Sequence, residues 1–400
     1  MAYDVWGVRG LFPSLGDGWI HLDAQAGMQI PDSVASTVSA AFRTSVSDPS
    51  GPYPSAQRSA GILETTRSAI ADLVGGQPEG VVLGPNRATL LARLSWACTR
   101  RLGIGTEVVL SRLDDEANIA PWLQAAHLYG SYVKWAEVDI ENFELPAWQY
   151  SELITEATTL VAVTAASSRL GVMPDVASIS KLAHAVDAMM VVDAASLAPY
   201  RSIDIDALGA DVIAVDAAGW GGPPVGALVF RDPAQLERLE SLSFDPTATG
   251  VARLEVGDHQ FAMLAGVVAS VESLAKLGGR TTGSRRNRLV KAMGELSEFQ
   301  SGLFEHLHTS LRSLPLVMVL GTDGHDGVPM LSFTVAGIPA TKVTQRMADN
   351  GICALATRGG SRVLDAIGVA EIGGAVTIGL GHYTTAHEVD QLVRVIASLG

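Results

Sequence analysis

Lysine is scarce in this chain of 400 residues. It occurs at Lys134, Lys181, Lys276, Lys291 and Lys342, and none lies between Lys181 and Lys276. Chemistry that needs an amine nucleophile within that span is excluded. Cysteine is rarer still. Cys98 and Cys353 make neither a disulfide framework nor a zinc site, and each reads as a small buried apolar residue. No apolar run approaches the ~18 residues that span a bilayer. The start, MAYDVWGVRG, lacks the basic residues and apolar core of a signal peptide. Positive charge is outnumbered, 28 Lys and Arg against 42 Asp and Glu. The resulting net charge of −14 argues against nucleic acid and anionic membranes as partners. The nine histidines show no H-E-x-x-H or similar metal spacing, so no metal site is expected. These absences together predict a reducing, cytoplasmic protein.

What is present is a large apolar core. Hydrophobic residues make up 48% and charged residues 18%, the balance of a well-packed protein with room for two domains. Apolar strands alternate with helical stretches along residues 58–194. The strands read as VVLG (81–84), EVVLS (107–111), YVKWAEV (132–138), TTLVAVTAA (158–166) and AMMVVDA (188–194). Helices are expected at 58–74, 86–100, 121–129 and 175–187. Strands apolar on both faces predict a mostly parallel sheet sandwiched by helices. The short gap between DVIAV and VGALVF (211–230) suits an antiparallel connection at one edge. Residues 261–277 read as a helix bridging to a smaller C-terminal α+β domain. His306 and His308 read as surface residues, and Arg280 to Arg288 as a solvated basic patch.

Ligands of open α/β sheets sit at the carboxyl ends of the strands. The segments expected there are LGPNRATLLAR, SRLDDEANIAPW, TAASSRLGVMPDV, VVDAASLAPYRSIDI and DAAGWGGPPVGALVF, followed by EVGDHQF, ALATRGGS and VTIGLGHYTTAHEVDQL. In order and spacing this set resembles the class V aminotransferase and cysteine desulfurase-like family, proteins of the pyridoxal phosphate (PLP) type I fold. The resemblance runs from about residue 19 to the C-terminus. It implies an N-terminal segment (1–18) packed on the small domain, a large PLP-transferase-like domain (19–258), a linker helix (259–284) and a small domain (285–400). It also implies a homodimer with active sites at the subunit interface.

The resemblance assigns a role to each position, and many roles are vacant. Asp193 in VVDAAS matches the aspartate that holds the pyridine nitrogen. Gly219 stands where the Schiff-base lysine belongs, and Asp216 stands at a serine of the same loop. Asp115 in LDDEAN replaces the histidine that stacks on the ring. The phosphate turn is Asn86-Arg87-Ala88, and the helix N-terminus with Arg87 retains the means to bind an anion. A Gly-Thr pair that a partner subunit would supply to the phosphate is Gly257-Asp258. Ser168 and Ser196 replace an asparagine and a histidine or glutamine. Thr377 replaces the arginine for the substrate carboxylate, with Arg358 and Arg362 as possible substitutes. The loop 357–362 has no cysteine, which excludes desulfuration of the usual kind.

Three readings follow. The first is a catalytically degenerate homodimer with a binding or regulatory role toward a small molecule or protein. The second is a transferase or lyase using noncovalent PLP or other chemistry in the inherited cleft. The third is a cation or amine binder in which four acids, Asp115, Asp193, Asp216 and Asp258, converge, or five with Glu116. Full pairing of those acids with arginines would count against the third.

Overall fold

The computed structural model describes residues 3–279, 282–321 and 327–399. The first strand, β1 (Ile20–His21), leaves the N-terminal segment and pairs with a strand far down the chain. The next seven strands build the main sheet. They are β2 (Val81–Gly84), β3 (Glu107–Ser111), β4 (Tyr132–Ala136), β5 (Thr158–Thr164), β6 (Met189–Asp193), β7 (Val212–Asp216) and β8 (Gly226–Phe230). Their order across the sheet is β2-β8-β7-β6-β5-β3-β4. All pairings are parallel except those of β8, which runs antiparallel to both β7 and β2. The antiparallel strand thus lies one place in from the edge, with β2 outermost.

Alternation explains how this sheet is buried on both faces. Val109, Val161, Val163, Met190, Val192, Ile213 and Val215 belong to one apolar cluster. Their neighbours Val108, Leu110, Leu160, Ala162, Val191, Val212 and Ala214 belong to another. Helices Arg87–Ala97 and Glu116–Tyr129 cover the second face through Leu90, Leu94, Ile119 and Trp122. The latter helix starts five residues before the expected PWLQAAHLY and contains Pro121. A proline there removes one backbone bond, to the carbonyl four residues earlier. Burial of Ile119, Trp122, Ala125 and Ala126 on the sheet outweighs that loss.

The small C-terminal sheet consists of β9 (Val317–Leu320), β10 (Met330–Val335), β12 (Leu355–Thr357) and β13 (Ala375–Gly379), in the antiparallel order β12-β13-β10-β9. Between them in the chain, β11 (Ile352–Cys353) pairs in parallel with β1. Helix Phe261–Leu274 places Leu264, Val267, Val271 and Leu274 in the first apolar cluster of the main sheet. Helix Arg285–Arg312 enters both cores. Its Leu289, Met293 and Leu296 join that cluster, and its Leu303, Phe304, Leu307 and Leu311 join the core of the small sheet.

Two surface readings need correction. His308 is buried, because it lies on the same helical stripe as Phe304 and Leu311, while His306 stays exposed and meets Asp390 at 2.7 Å. The basic run is not a free patch. Arg285 pairs with Asp72 and Glu272, Arg286 with Asp204, and Arg288 with Glu272. Arg280 lies outside the described residues. Among those described, no helix is long and apolar enough to cross a membrane.

Candidate functional site

A cavity of about 550 Å³ opens at the carboxyl ends of the parallel strands, between the main sheet and the small domain. Arg87, Asp115, Ser168, Ser196, Asp216 and Gly219 line it from the main-sheet side. Leu355, Ser361 and Arg362 line it from the other side, and residues 24–27 close one rim. The sequence reading therefore places five of its nine cofactor candidates on one wall.

Arg87 is the centre of that wall. It is the first residue of helix Arg87–Ala97, capped by Asn86, whose Oδ1 accepts from Thr89 N at 2.8 Å. Gly226 allows this helix end to approach β8. A Cβ at 226 would fall 2.3 Å from Arg87 N. The Arg87 backbone N–H donates to Asp216 Oδ2 at 3.0 Å. Its guanidinium bonds Asp193 Oδ2 through Nη1 and lies 3.4 Å from Asp115 Oδ2 through Nη2. The second oxygen of Asp193 accepts from Ala195 N at 3.1 Å. Asp115 also accepts from the Ser168 hydroxyl at 2.6 Å.

The charges around Arg87 follow from this geometry. Burial alone would lower the arginine's proton affinity, but Asp193, Asp115 and Asp216 reverse that and raise it. Asp216 is pushed up by burial, against the N–H bonds it receives from Arg87 and Ala218. Asp114, deep in the same wall, is pushed up to about 8 by burial, opposed by the amide of Asn118. Asp114 is therefore largely protonated at neutral pH. Glu116 pairs with Arg362, whose guanidinium also covers the Trp135 ring. Arg169 lines the cavity with no ion pair among the described residues. It donates to Thr357 Oγ1 at 3.4 Å.

Gly219 lies in the tight turn Ala217–Trp220 after β7, held by the buried Trp220 through its bond to Ser270. A Cβ at 219 would meet Ala195 O and Pro199 Cγ at 3.4 Å, so a side chain has room to start there. No lysine lines the cavity. Lys134 pairs with Glu107, Lys291 faces Glu295, and Lys181, Lys276 and Lys342 are exposed.

The remaining candidates lie elsewhere. Asn86 and Ala88 belong to the helix start. Asp258 is exposed and does not line the cavity of its own chain. Thr377 is buried in β13, with its hydroxyl 2.9 Å from Ser332 Oγ. Arg358 bonds Thr341 outside the cavity. Cys353 is not a cavity residue either.

Sequence reasoning missed one grouping. His21, Asp23 and Cys353 offer donor atoms that all lie within 4.8 Å of one another. No local spacing signals it, because β1–β11 pairing joins opposite ends of the chain. Gln25 was also missed. It reaches from the cavity rim to Thr377 O at 3.0 Å.

The whole arrangement has close relatives. The protein MT3887 of Mycobacterium tuberculosis is 58% identical over the full length of both chains. The aminotransferase-like protein FGM3 of Gibberella zeae is 27% identical, covering 98% of this chain and 97% of the relative. Among solved structures, the cysteine desulfurase CsdA of Escherichia coli superposes with a TM-score of 0.85 at 22% identity, covering 99% of this chain and 98% of its own. The apo cysteine desulfurase of Thermococcus onnurineus gives 0.88 at 22% identity, covering 100% and 99%. These two likenesses establish the PLP type I fold. The family model described as aminotransferase class-V matches residues 20–392. The chain belongs to the class V aminotransferase family.

Proposed function

We propose that this protein is a family member whose cofactor place is filled by its own side chains, and that it works as a homodimeric small-molecule binder rather than as a PLP enzyme. The observation that carries this reading is the position of Arg87. PLP needs an acid for its ring nitrogen, donors for its phosphate and an amine for its aldehyde. Here Asp193 is bonded by the Arg87 guanidinium and by Ala195 N. The helix N–H that would meet a phosphate donates to Asp216. A phosphate beside that carboxylate would be repelled by roughly 1–4 kcal/mol at ~4 Å. The amine is absent at Gly219. The residues present do not fit the cofactor.

The relatives named as desulfurases do not transfer that activity. A persulfide-forming thiol must reach the substrate, and Cys353 is outside the cavity. The acidic-cleft reading loses support as well. Arg87 pairs with Asp193 and Asp115, and Arg362 with Glu116, from within. Arg169 is the cavity cation left over, which favours a ligand carrying a negative group. The homodimer is supported by an apolar groove beside the same loop, lined by Ile30, Val34, Val38, Phe42, Pro223 and Met263. Phe42 is 64% exposed there in the isolated chain.

The test is an absorbance titration with PLP, ended by borohydride reduction and mass spectrometry. The wild-type chain is expected to show neither an aldimine band nor a reduced adduct. Gly219→Lys alone is expected to stay unlabelled, because Arg87 and Asp216 still hold two of the three places. A borohydride-fixed adduct on the wild-type chain would overturn the proposal.

A further inference from the structure

The seam between β1 and β11 lies apart from the Arg87 wall of the cavity, and its chemistry stands independently of the reading given to the cavity. Ile20 and His21 pair in parallel register with Ile352 and Cys353. Asp23 follows His21 by two residues, the spacing that keeps side chains on one face of an extended chain. His21 Nε2 lies 3.2 Å from Asp17 Oδ2, while Nδ1 lies 4.0 Å from Asp23 Oδ1. An imidazole that donates from Nε2 to Asp17 has its lone pair on Nδ1, on the side of Asp23. A 4.0 Å gap is too long for a hydrogen bond. It suits two ligands of one ion, each bound at about 2.0–2.2 Å after slight contraction.

We propose that His21 Nδ1, the Asp23 carboxylate and Cys353 Sγ form a binding site for a divalent cation of the zinc type. A thiolate, an imidazole and a carboxylate are a donor set for zinc rather than for magnesium or calcium. Three protein ligands leave a position for water or a further donor. Asp17 holds the imidazole from behind, as outer carboxylates commonly do for metal-bound histidines. The Gln29 amide, 3.3 Å from Nδ1 in the metal-free arrangement, turns aside on loading.

Charge supports the assignment. Asp17 and Asp23 have no arginine or lysine ion pair among the described residues. A dication offsets those charges and binds the thiolate, releasing its proton to solvent. Position gives the ion a consequence. β1 leads directly into residues 24–27 on one cavity rim, and β11 leads into Leu355 on the other. A bound ion fastens both rims together.

The test uses the full-length chain, stripped with a chelator and titrated with cobalt(II). A thiolate-to-cobalt charge-transfer band with intense tetrahedral d–d bands is expected, saturating at one ion per chain and displaced by zinc. Cys353→Ser is expected to abolish the charge-transfer band. Asp17→Asn is expected to weaken affinity by about 10–100-fold. Absence of the band, or its persistence in Cys353→Ser, overturns the proposal. A second measurement needs no variant. Zinc is expected to slow alkylation of Cys353 in the wild-type chain and chelator to restore it. Cys98 stays silent, since its thiol is buried and pushed up to about 12. Alkylation unaffected by zinc overturns the site.

Discussion

At the ends of β6 and β7, Asp193 and Asp216 face Arg87. At the β1–β11 seam, Asp17 and Asp23 lie by His21 and Cys353, with no arginine or lysine ion pair among the described residues. Both regions gather carboxylates in partly buried places, where an uncompensated charge is costly. The first balances them with a covalently attached cation that cannot leave. Asp193 is 1% exposed and Arg87 17%, so their pairing is sheltered from solvent. The second has no fixed cation, and its acids keep more contact with water, Asp17 at 44% and Asp23 at 31%. A site that carries its own counter-ion is closed to a ligand of the same charge. A site that lacks one is open to an ion from solution.

The same substitution made in both places separates them most clearly. Asp193→Asn leaves the Arg87 guanidinium buried with Asp115 and Asp216 but without its closest carboxylate. Breaking one partner of a buried pair costs about 3–5 kcal/mol. Urea unfolding is expected to show a loss of that order with an unchanged slope. Adding Arg87→Met to Asp193→Asn is expected to recover only part of it, since that pair is then gone but Asp115 and Asp216 lose their cation. A loss below about 1 kcal/mol for Asp193→Asn would mean that the wall is not charge-balanced by Arg87.

Asp114 sharpens the contrast through pH. Its carboxyl is held protonated by burial, with a pKa of about 8 against 3.8 in the unfolded chain. A raised folded pKa stabilises below the unfolded value, and the contribution is lost as pH rises through the folded one. The wild-type chain should therefore lose stability relative to Asp114→Asn between about pH 4 and pH 8, by up to about 1.4 kcal/mol per pH unit. Paired thermal melts across that range check it. A difference independent of pH would place the Asp114 proton elsewhere.

Much of the fold was legible because it rests on local patterns. Strands apolar on both faces, each followed by a turn and a helix, leave few arrangements other than a covered parallel sheet. The absence of any lysine between Lys181 and Lys276 was legible outright, since it needs only the sequence. The direction of the Arg87 side chain was not. A first-turn arginine at a helix N-terminus reads as an anion ligand, and only the depth of Asp193 beneath it turns the guanidinium inward. His308 was misread because two histidines in EHLHTS look equivalent until the helix is given an inside. The seam was invisible, because its residues come from opposite ends of the chain and their order carries no motif.

The smallest expected effect is the most discriminating. Asp23→Asn removes a charge that, among the described residues, makes no side-chain hydrogen bond and has His21 at 4.0 Å as its near ionic contact. Its cost in metal-free protein should stay within about 0.5 kcal/mol, the range of ordinary surface changes. It should still be felt by Cys353, because Asp23 is one of the charges that disfavour the thiolate. Removing it lowers the thiol's pKa and raises the thiolate fraction at neutral pH, so chelator-treated protein should alkylate a few-fold faster. The zinc protection should weaken in the same variant, because one ligand is lost. A faster reaction in the absence of metal together with weaker protection in its presence separates a ligating carboxylate from a merely neighbouring one. An unchanged alkylation rate would show that Asp23 does not face the thiol, and the comparison between the two acidic regions would then lose its second half.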